Sequence, residues 1–236
     1  MYEHTTRQFD IEMEAIRSGV LAMGGLVETQ LGRAIDALVK DNDRANLVDL
    51  VGADEQRIND QQIRMDEQCS QIIARRQPAA VDLRTILTIT KVVNELERIG
   101  DETKKIAYKA SEARSGDRLG DVRLFEVVRA AQEAREMVQA VLDAFARLDV
   151  DAACTVIARD EAIDAAFSAI LRQLISYMME DPRTIGAALE IVFIAKSIER
   201  VGDHAKNIAE AVVQMVRGKD VRHATAQQIR DEVEQP

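Results

Sequence analysis

The 236-residue chain has no tryptophan, and only five phenylalanines and three tyrosines. A core must therefore be assembled from Ala, Val, Ile, Leu and Met; the apolar share of 47% is large enough to build one. Proline is scarce too: there are three, one of them the last residue, so long stretches run without a helix breaker. The two cysteines, Cys69 and Cys154, lie on separate segments with no CxxC pattern. That argues against a disulfide framework, fits a reducing compartment, and makes both thiols small core residues. Long apolar runs are missing: the longest, Ile191 to Ala195, is five residues, against the roughly 20 a membrane-spanning helix needs. The N-terminal MYEHTTRQFDIEME has no basic-then-apolar layout of a signal peptide. Positive charge is short as well: 31 Lys and Arg face 41 Asp and Glu, a net charge of −10 with no basic stripe. This weighs against nucleic acid and against an anionic lipid surface, and admits cations, metal ions or a basic protein partner. No glycine-rich phosphate loop or nucleophile turn is present, and neither cysteine has a base nearby in sequence.

What is there is helical periodicity. Phe9, Met13, Ile16, Val20, Met23, Val27, Leu31, Ile35 and Leu38 recur at intervals of three or four, one apolar stripe on one long helix. Asp41-Asn42-Asp43 breaks the pattern and offers a cap for a second helix from Arg44 to Arg76. Beyond Pro78 a third helix carries Val81, Ile86, Ile89, Val93, Leu96, Ile99 and Ile106, and Ser115-Gly116-Asp117 closes it. A fourth helix is expected from Val122 to Leu148, with Phe125, Val128, Met137, Val141 and Phe145 on its apolar row. Asp149-Val150-Asp151 precedes a fifth helix, Ala152 to Met179. Asp181-Pro182 then supplies a cap and a first-turn proline for a sixth, which runs to about Val216.

The second half repeats the plan of the first. ELERIGDETKKIA (95–107) returns as SIERVGDHAKNIA (197–209), so that Glu97 and Glu199, and Asp101 and Asp203, are each separated by 102 positions. An internal duplication with short connections gives an all-α fold of two similar three-helix bundles, an elongated six-helix molecule. The expected units are residues 1–116, residues 117–218, and a polar C-terminal tail, 219–236.

The repeated stretch is chemically odd. Glu97 and Asp101 are four residues apart, which stacks two carboxylates on one helix edge, and Glu199 and Asp203 do the same. Each pair encloses a glycine, Gly100 or Gly202, which costs about 1 kcal/mol relative to alanine in a helix. Arg98 and Arg200 point outward on a helical wheel, as surface candidates together with Arg75 and Arg76, and Glu210 extends the second acidic row where the first copy has Tyr108. Stacked carboxylates suit hard or borderline cations, and glycine suits a helix that something approaches closely. The plain alternative is a solvated face in which Lys104 and Lys105 pair with the first carboxylates and Lys206 or Asn207 with Asp203.

The segments MGGLVETQL, IIARRQPAAVDLRTI, NELERIGDETKKIA, VLDAFARLDVDAA, RQLISYMMEDPRTI and SIERVGDHAKNIAE, in that order, resemble the PhoU family of bacterial phosphate-transport regulators over about residues 4–217. The resemblance implies two similar three-helix bundles and Glu/Asp-x-x-x-Asp motifs that bind metal ions, iron or zinc among them. Those motifs map to Glu97 with Asp101 and to Glu199 with Asp203. The first copy has Lys105 where the second has Asn207, and an ammonium there would oppose a cation, so the first site is expected to be the weaker. The resemblance also implies a non-enzymatic, cytoplasmic homodimer that reaches the inner membrane only through partners. Those partners are the ATPase subunit of the phosphate ABC transporter and a phosphate-sensing histidine kinase, which it would restrain when phosphate is plentiful. A competing class is a metal store or a carboxylate-bridged di-metal oxidase. Such oxidases use Glu-x-x-His, whereas the third residue after Glu97 is Gly100 and after Glu199 is Gly202. The only histidines are His4, His204 and His223, and His204 is expected to face solvent.

Overall fold

Six helices make up the computed structural model, which describes residues 2–114 and 124–218. They are α1 (Tyr2–Val39), α2 (Arg44–Arg76), α3 (Ala80–Arg114), α4 (Leu124–Arg147), α5 (Val150–Glu180) and α6 (Ile185–Arg217). The expected break at 116/117, the start of the fourth helix at Val122 and the tail from 219 onward lie outside the described residues.

The helix ends follow local chemistry. At α5, Asp149 accepts a hydrogen bond from the backbone N–H of Ala152 at 3.0 Å, an ordinary side-chain cap. Asp43 holds the matching position before α2 but caps no backbone N–H; its carboxylate takes the Asn46 amide instead, at 3.1 Å. Pro182 opens a short 3₁₀ turn, Pro182–Thr184, rather than α6 itself, and Asp181 accepts from the N–H of Arg183 there. Gly218 ends α6 in the left-handed region, φ 75°, donating back to Gln214 O at 2.9 Å. Glycine adopts that conformation without strain.

In each half the three helices pack against one another: α1, α2 and α3 in the first, α4, α5 and α6 in the second. The halves then meet along α3 and α6, the most extensive helix–helix contact in the molecule, with α1 against α4 beside it. The polar crosslinks fix the direction. Lys91 reaches Gln214, Glu95 meets His204, Glu102 meets Arg200, and Lys109 meets Glu190. Numbering falls along α6 as it rises along α3, so the two helices are antiparallel. Antiparallel pairing of two copies is what an approximate two-fold axis between the halves produces.

The apolar row of α3 fills the centre: Ile86, Ile89, Val92, Val93, Leu96, Ile99 and Ile106 are fully buried, as are Val201, Ala205, Ile208 and Val212 on α6. Each large side chain so buried contributes about 1.5–3 kcal/mol. Two residues of the expected rows fall outside the core. Phe125 is 67% exposed and Val81 57%; both sit in the first turn of their helices, at the end of the bundle rows. Cys69 and Cys154 are buried and form no disulfide among the described residues, as read from the sequence.

The contrast between Phe145, fully buried, and Phe125 gives a direct check. Phe145→Ala is expected to lower the unfolding free energy by about 3–5 kcal/mol, and Phe125→Ala to change it by no more than about 0.5 kcal/mol, both measured by urea denaturation.

Candidate metal centre

Helical geometry places Glu97 and Asp101 on the border of α3 that faces α2, and Glu199 and Asp203 on the border of α6 that faces α5. Each pair meets further polar residues that the sequence reading missed. In the first half these are Glu55 and Asn59 on α2 and Gln30 on α1. In the second they are Asp160 and Asp164 on α5. The missed signal is the same four-residue spacing one helix earlier: Glu55 with Asn59, and Asp160 with Asp164, each 105 positions apart, with Ile58 and Ile163 at the equivalent site between them.

Those isoleucines explain the glycines. A Cβ on Gly100 would lie 3.3 Å from Ile58 Cδ1, and 3.4 Å from both Gln30 Oε1 and Glu55 Oε2. On Gly202 it would lie 3.3 Å from Ile163 Cγ2. The absent side chain lets α2 and α5 come close enough to bring their carboxylates to those of α3 and α6.

In the first half, Glu55 is buried. Its Oε2 receives the Gln30 amide at 3.4 Å and its Oε1 the Asn59 amide at 3.3 Å. The Gln30 amide also reaches Val51 O at 3.3 Å. Burial raises the Glu55 carboxyl above its ordinary range, and the hydrogen bond and charge of Asp101 push the same way, against the Gln30 amide and the Lys104 charge. Glu97 is raised by burial and by the Asp101 charge.

In the second half, Asp160 is buried with Oδ2 on Lys206 Nζ at 2.7 Å, while its Oδ1 is buried without a partner. Glu199 Oε1 takes Lys196 Nζ at 2.6 Å, and its Oε2 is likewise buried and unpartnered. Asp203 is raised by burial and by the charges of Glu199, Asp160 and Asp164; Asp164 by burial and by Asp160 and Glu199. Four carboxylates thus feel one another. All-oxygen donors with two buried unpartnered oxygens fit a hard or borderline cation. Among the described residues, no group of three or more His, Cys, Asp and Glu is gathered so as to hold a metal ion.

Several expectations need correction. Lys105 binds Glu102 Oε1 at 2.9 Å rather than Asp101, though its charge still reaches Glu97. Lys206 goes to Asp160 and Asn207 to Glu95, at 2.7 and 3.1 Å, rather than to Asp203. Arg200 does not point outward but crosses to the buried Glu102, 2.7 Å away on α3. His204 does not face solvent: its side chain is 12% exposed, with Nδ1 2.7 Å from Glu95 Oε2. Burial would raise Glu95, but the hydrogen bonds from His204 and Asn207 outweigh it and hold the carboxyl low. Arg76 forms a two-point pair with Glu12, at 3.0 and 2.7 Å. Arg98 and Arg75 are exposed, in line with the wheel. Glu210, placed on the acidic row, is buried beside a cleft of about 340 Å³ that Lys91, Glu95, Asn207 and Gln214 also line.

Comparison with known proteins gives a consistent picture. The family model for the PhoU domain matches twice, over residues 20–110 and 127–212. The PhoU homolog of Pseudomonas aeruginosa, a phosphate-specific transport system accessory protein, is 46% identical over 232 residues, 98% of this chain and 94% of that protein. The accessory protein PhoU of Escherichia coli K12 is 42% identical over 221 residues, 94% and 90% of the two chains. The crystal structure of PhoU from P. aeruginosa superposes with a TM-score of 0.82, covering 89% of this chain and all of that one. The phosphate transport system regulatory protein PhoU of Streptococcus pneumoniae, 25% identical, also gives 0.82, over 90% and 99%.

The two glycines yield the prediction here. Gly100→Val and Gly202→Val each force a branched side chain between helices already in contact. Each is expected to lower the unfolding free energy by about 1–3 kcal/mol, read from denaturant midpoints, with Gly186→Val, whose Cβ would meet nothing within 4 Å, as the neutral control.

Proposed function

The chain belongs to the PhoU family, and from that membership we propose that it is an accessory protein of a phosphate transport system that acts as a negative regulator of phosphate uptake and of phosphate-starvation signalling. It works without catalysis, as a cytoplasmic adaptor between the ATPase subunit of the phosphate ABC transporter and a phosphate-sensing histidine kinase, and it functions as a homodimer. The single observation that carries this reading is the double match of the PhoU domain, 20–110 and 127–212, on relatives whose names tie them to phosphate-specific transport. The physical features are compatible. No helix among the described residues is long and apolar enough to cross a membrane, so contact with a transporter would pass through protein surface, and long helix faces offer extended docking area.

Glu97 with Asp101, and Glu199 with Asp203, joined by Glu55, Asp160 and Asp164, serve as ligands for divalent or trivalent metal ions, iron or zinc. The support is the chemistry of the donor set: clustered carboxylates, of which Asp164 and Asp203 are raised by burial and by neighbouring carboxylates, and buried oxygens of Asp160 and Glu199 without partners. When bound, the metal would neutralise the like charges and tie α5 to α6. Neither pair carries the Glu-x-x-His spacing of carboxylate-bridged oxidases, Gly100 and Gly202 standing three residues after the glutamates, and Nδ1 of His204 is turned to Glu95 on α3.

The regulatory reading predicts a phenotype. Deleting the gene should leave phosphate-starvation promoters active in phosphate-rich medium, and a plasmid copy of the wild-type chain should silence them. A promoter reporter measures this; a deletion strain that stays silent at high phosphate contradicts the proposal.

A further inference from the structure

The approximate two-fold relation between the halves matches each position of α3 with the one 102 residues later on α6. The α3–α6 contact therefore has two equivalent grooves, one toward each end, and they are finished differently. In one, Lys109 of α3 reaches across to α6. Its ammonium lies 5.7 Å from the centre of the Phe193 ring and binds Glu190 Oε2 at 2.9 Å, besides Glu112 Oε2 at 2.7 Å. In the other, Ala211 holds the place of Lys109 and Lys91 that of Phe193. A methyl group cannot bridge the groove, and here the two helices border the cleft of about 340 Å³, within the size range of small-molecule sites.

The cleft is acidic at one end and basic at the other. Glu95 and Asn207 stand at the acidic end, with the buried Glu210 beside them. Glu95 Oε2 accepts from Asn207 Nδ2 at 3.1 Å and meets His204 Nδ1 at 2.7 Å, while among the described residues its Oε1 makes no hydrogen bond. Lys91 stands at the basic end, one turn earlier on α3, about 6 Å along the helix axis. Its ammonium binds the neutral Gln214 Oε1 at 2.8 Å, and among the described residues no carboxylate pairs with it. Lys91 and Glu95 do not pair with each other: a lysine four residues before a glutamate is in the less favourable order for a helix pair. Ala211, between Asn207 and Gln214 on α6, supplies the apolar surface between the two ends.

We propose that this cleft binds a short zwitterion of the ω-amino-acid class, its ammonium at Glu95, Asn207 and Glu210, its carboxylate at Lys91 and Gln214, and its methylenes over Ala211. A charge separation of about 6 Å is that of a γ-amino acid with standard bond lengths. Such a ligand touches α3 and α6 together, so its binding strengthens the contact between the two halves. The cleft belongs to one end of the contact only, because at the other end the chain's own Lys109 supplies the ammonium.

Calorimetric titration of the full chain with γ-aminobutyrate in about 0.15 M salt, where exposed charges are screened, tests this. The expected result is one site with Kd below about 1 mM, and binding of n-butylamine and of butyrate, which carry one charge each, about tenfold weaker or more. Ala211→Lys places in the cleft the side chain that bridges the other groove, and should raise Kd about tenfold or more. Ser168→Lys, the same charge change at an exposed position of α5, should leave it unchanged. Lys91→Met should reduce γ-aminobutyrate to the affinity of butylamine. Circular dichroism checks the helicity of each variant, and if Ala211→Lys fails to fold, the exposed Lys91→Met still decides. Three results each overturn the proposal: no saturable binding up to about 10 mM, butylamine binding as tightly as γ-aminobutyrate, or an affinity that the folded cleft variants leave at the wild-type value.

Discussion

Packing of α3 against α6 is the contact on which the rest of the molecule depends. Its apolar centre, from Ile89 and Val93 on one side to Val201 and Ala205 on the other, joins the two bundles into one continuous hydrophobic core. Its polar crosslinks set the register: Arg200 on the buried Glu102, His204 and Asn207 on Glu95. Because the residues that define this contact share their helices with Glu97, Asp101, Glu199 and Asp203, the same register that joins the halves also aims both acidic pairs at the neighbouring helices. Arg84 adds to it by donating to Met215 O at 3.3 Å, where the last carbonyls of α6 need partners.

The acidic centres work against simple electrostatics. Carboxylates four residues apart repel by a few tenths of a kcal/mol on an exposed helix, and partial burial strengthens the repulsion because the local dielectric falls. The fold nevertheless brings a second helix, with carboxylates of its own, to the same place, and uses a glycine in each half to let it approach. In the first half, amides and a neighbouring carboxyl absorb part of the conflict around Glu55. In the second, Lys206 and Lys196 each take one oxygen of Asp160 and Glu199, and the other oxygen stays buried without a partner. Under the proposed metal reading, a bound cation would relieve it, and its binding would be felt along α6, the helix in closest contact with the other half.

Much of this was legible in the chain. Apolar rows at intervals of three or four gave six helices, and the repeated Glu-Arg-Ile/Val-Gly-Asp gave the duplication and two carboxylate pairs. What was not legible depends on which helix lies beside which. Glu55 and Asp160 look like ordinary surface acids in sequence, because the spacing that marks them is only meaningful once α2 and α5 are known to face the glycines. Arg200 and His204 sit on the outer side of a wheel drawn for one bundle, and only the other bundle turns that side into an interface. Phe125 and Val81 obey the apolar period but fall in first turns, where periodicity says nothing about cover. Lys105 was assigned to the wrong carboxylate for a related reason: Glu102, three residues earlier, is buried by α6 and draws the ammonium to itself.

The central claim is that the repeated acidic pairs are metal ligands, and elemental analysis tests it most directly. The protein is purified without chelator or metal-affinity steps, beside a variant in which Glu97, Asp101, Glu199 and Asp203 are all alanine. Stoichiometric iron or zinc in the wild type, absent from a variant of equal helicity, is the expected result. Equal and negligible metal in both folded proteins would contradict it, and would leave the acidic pairs as features of helix packing or partner docking.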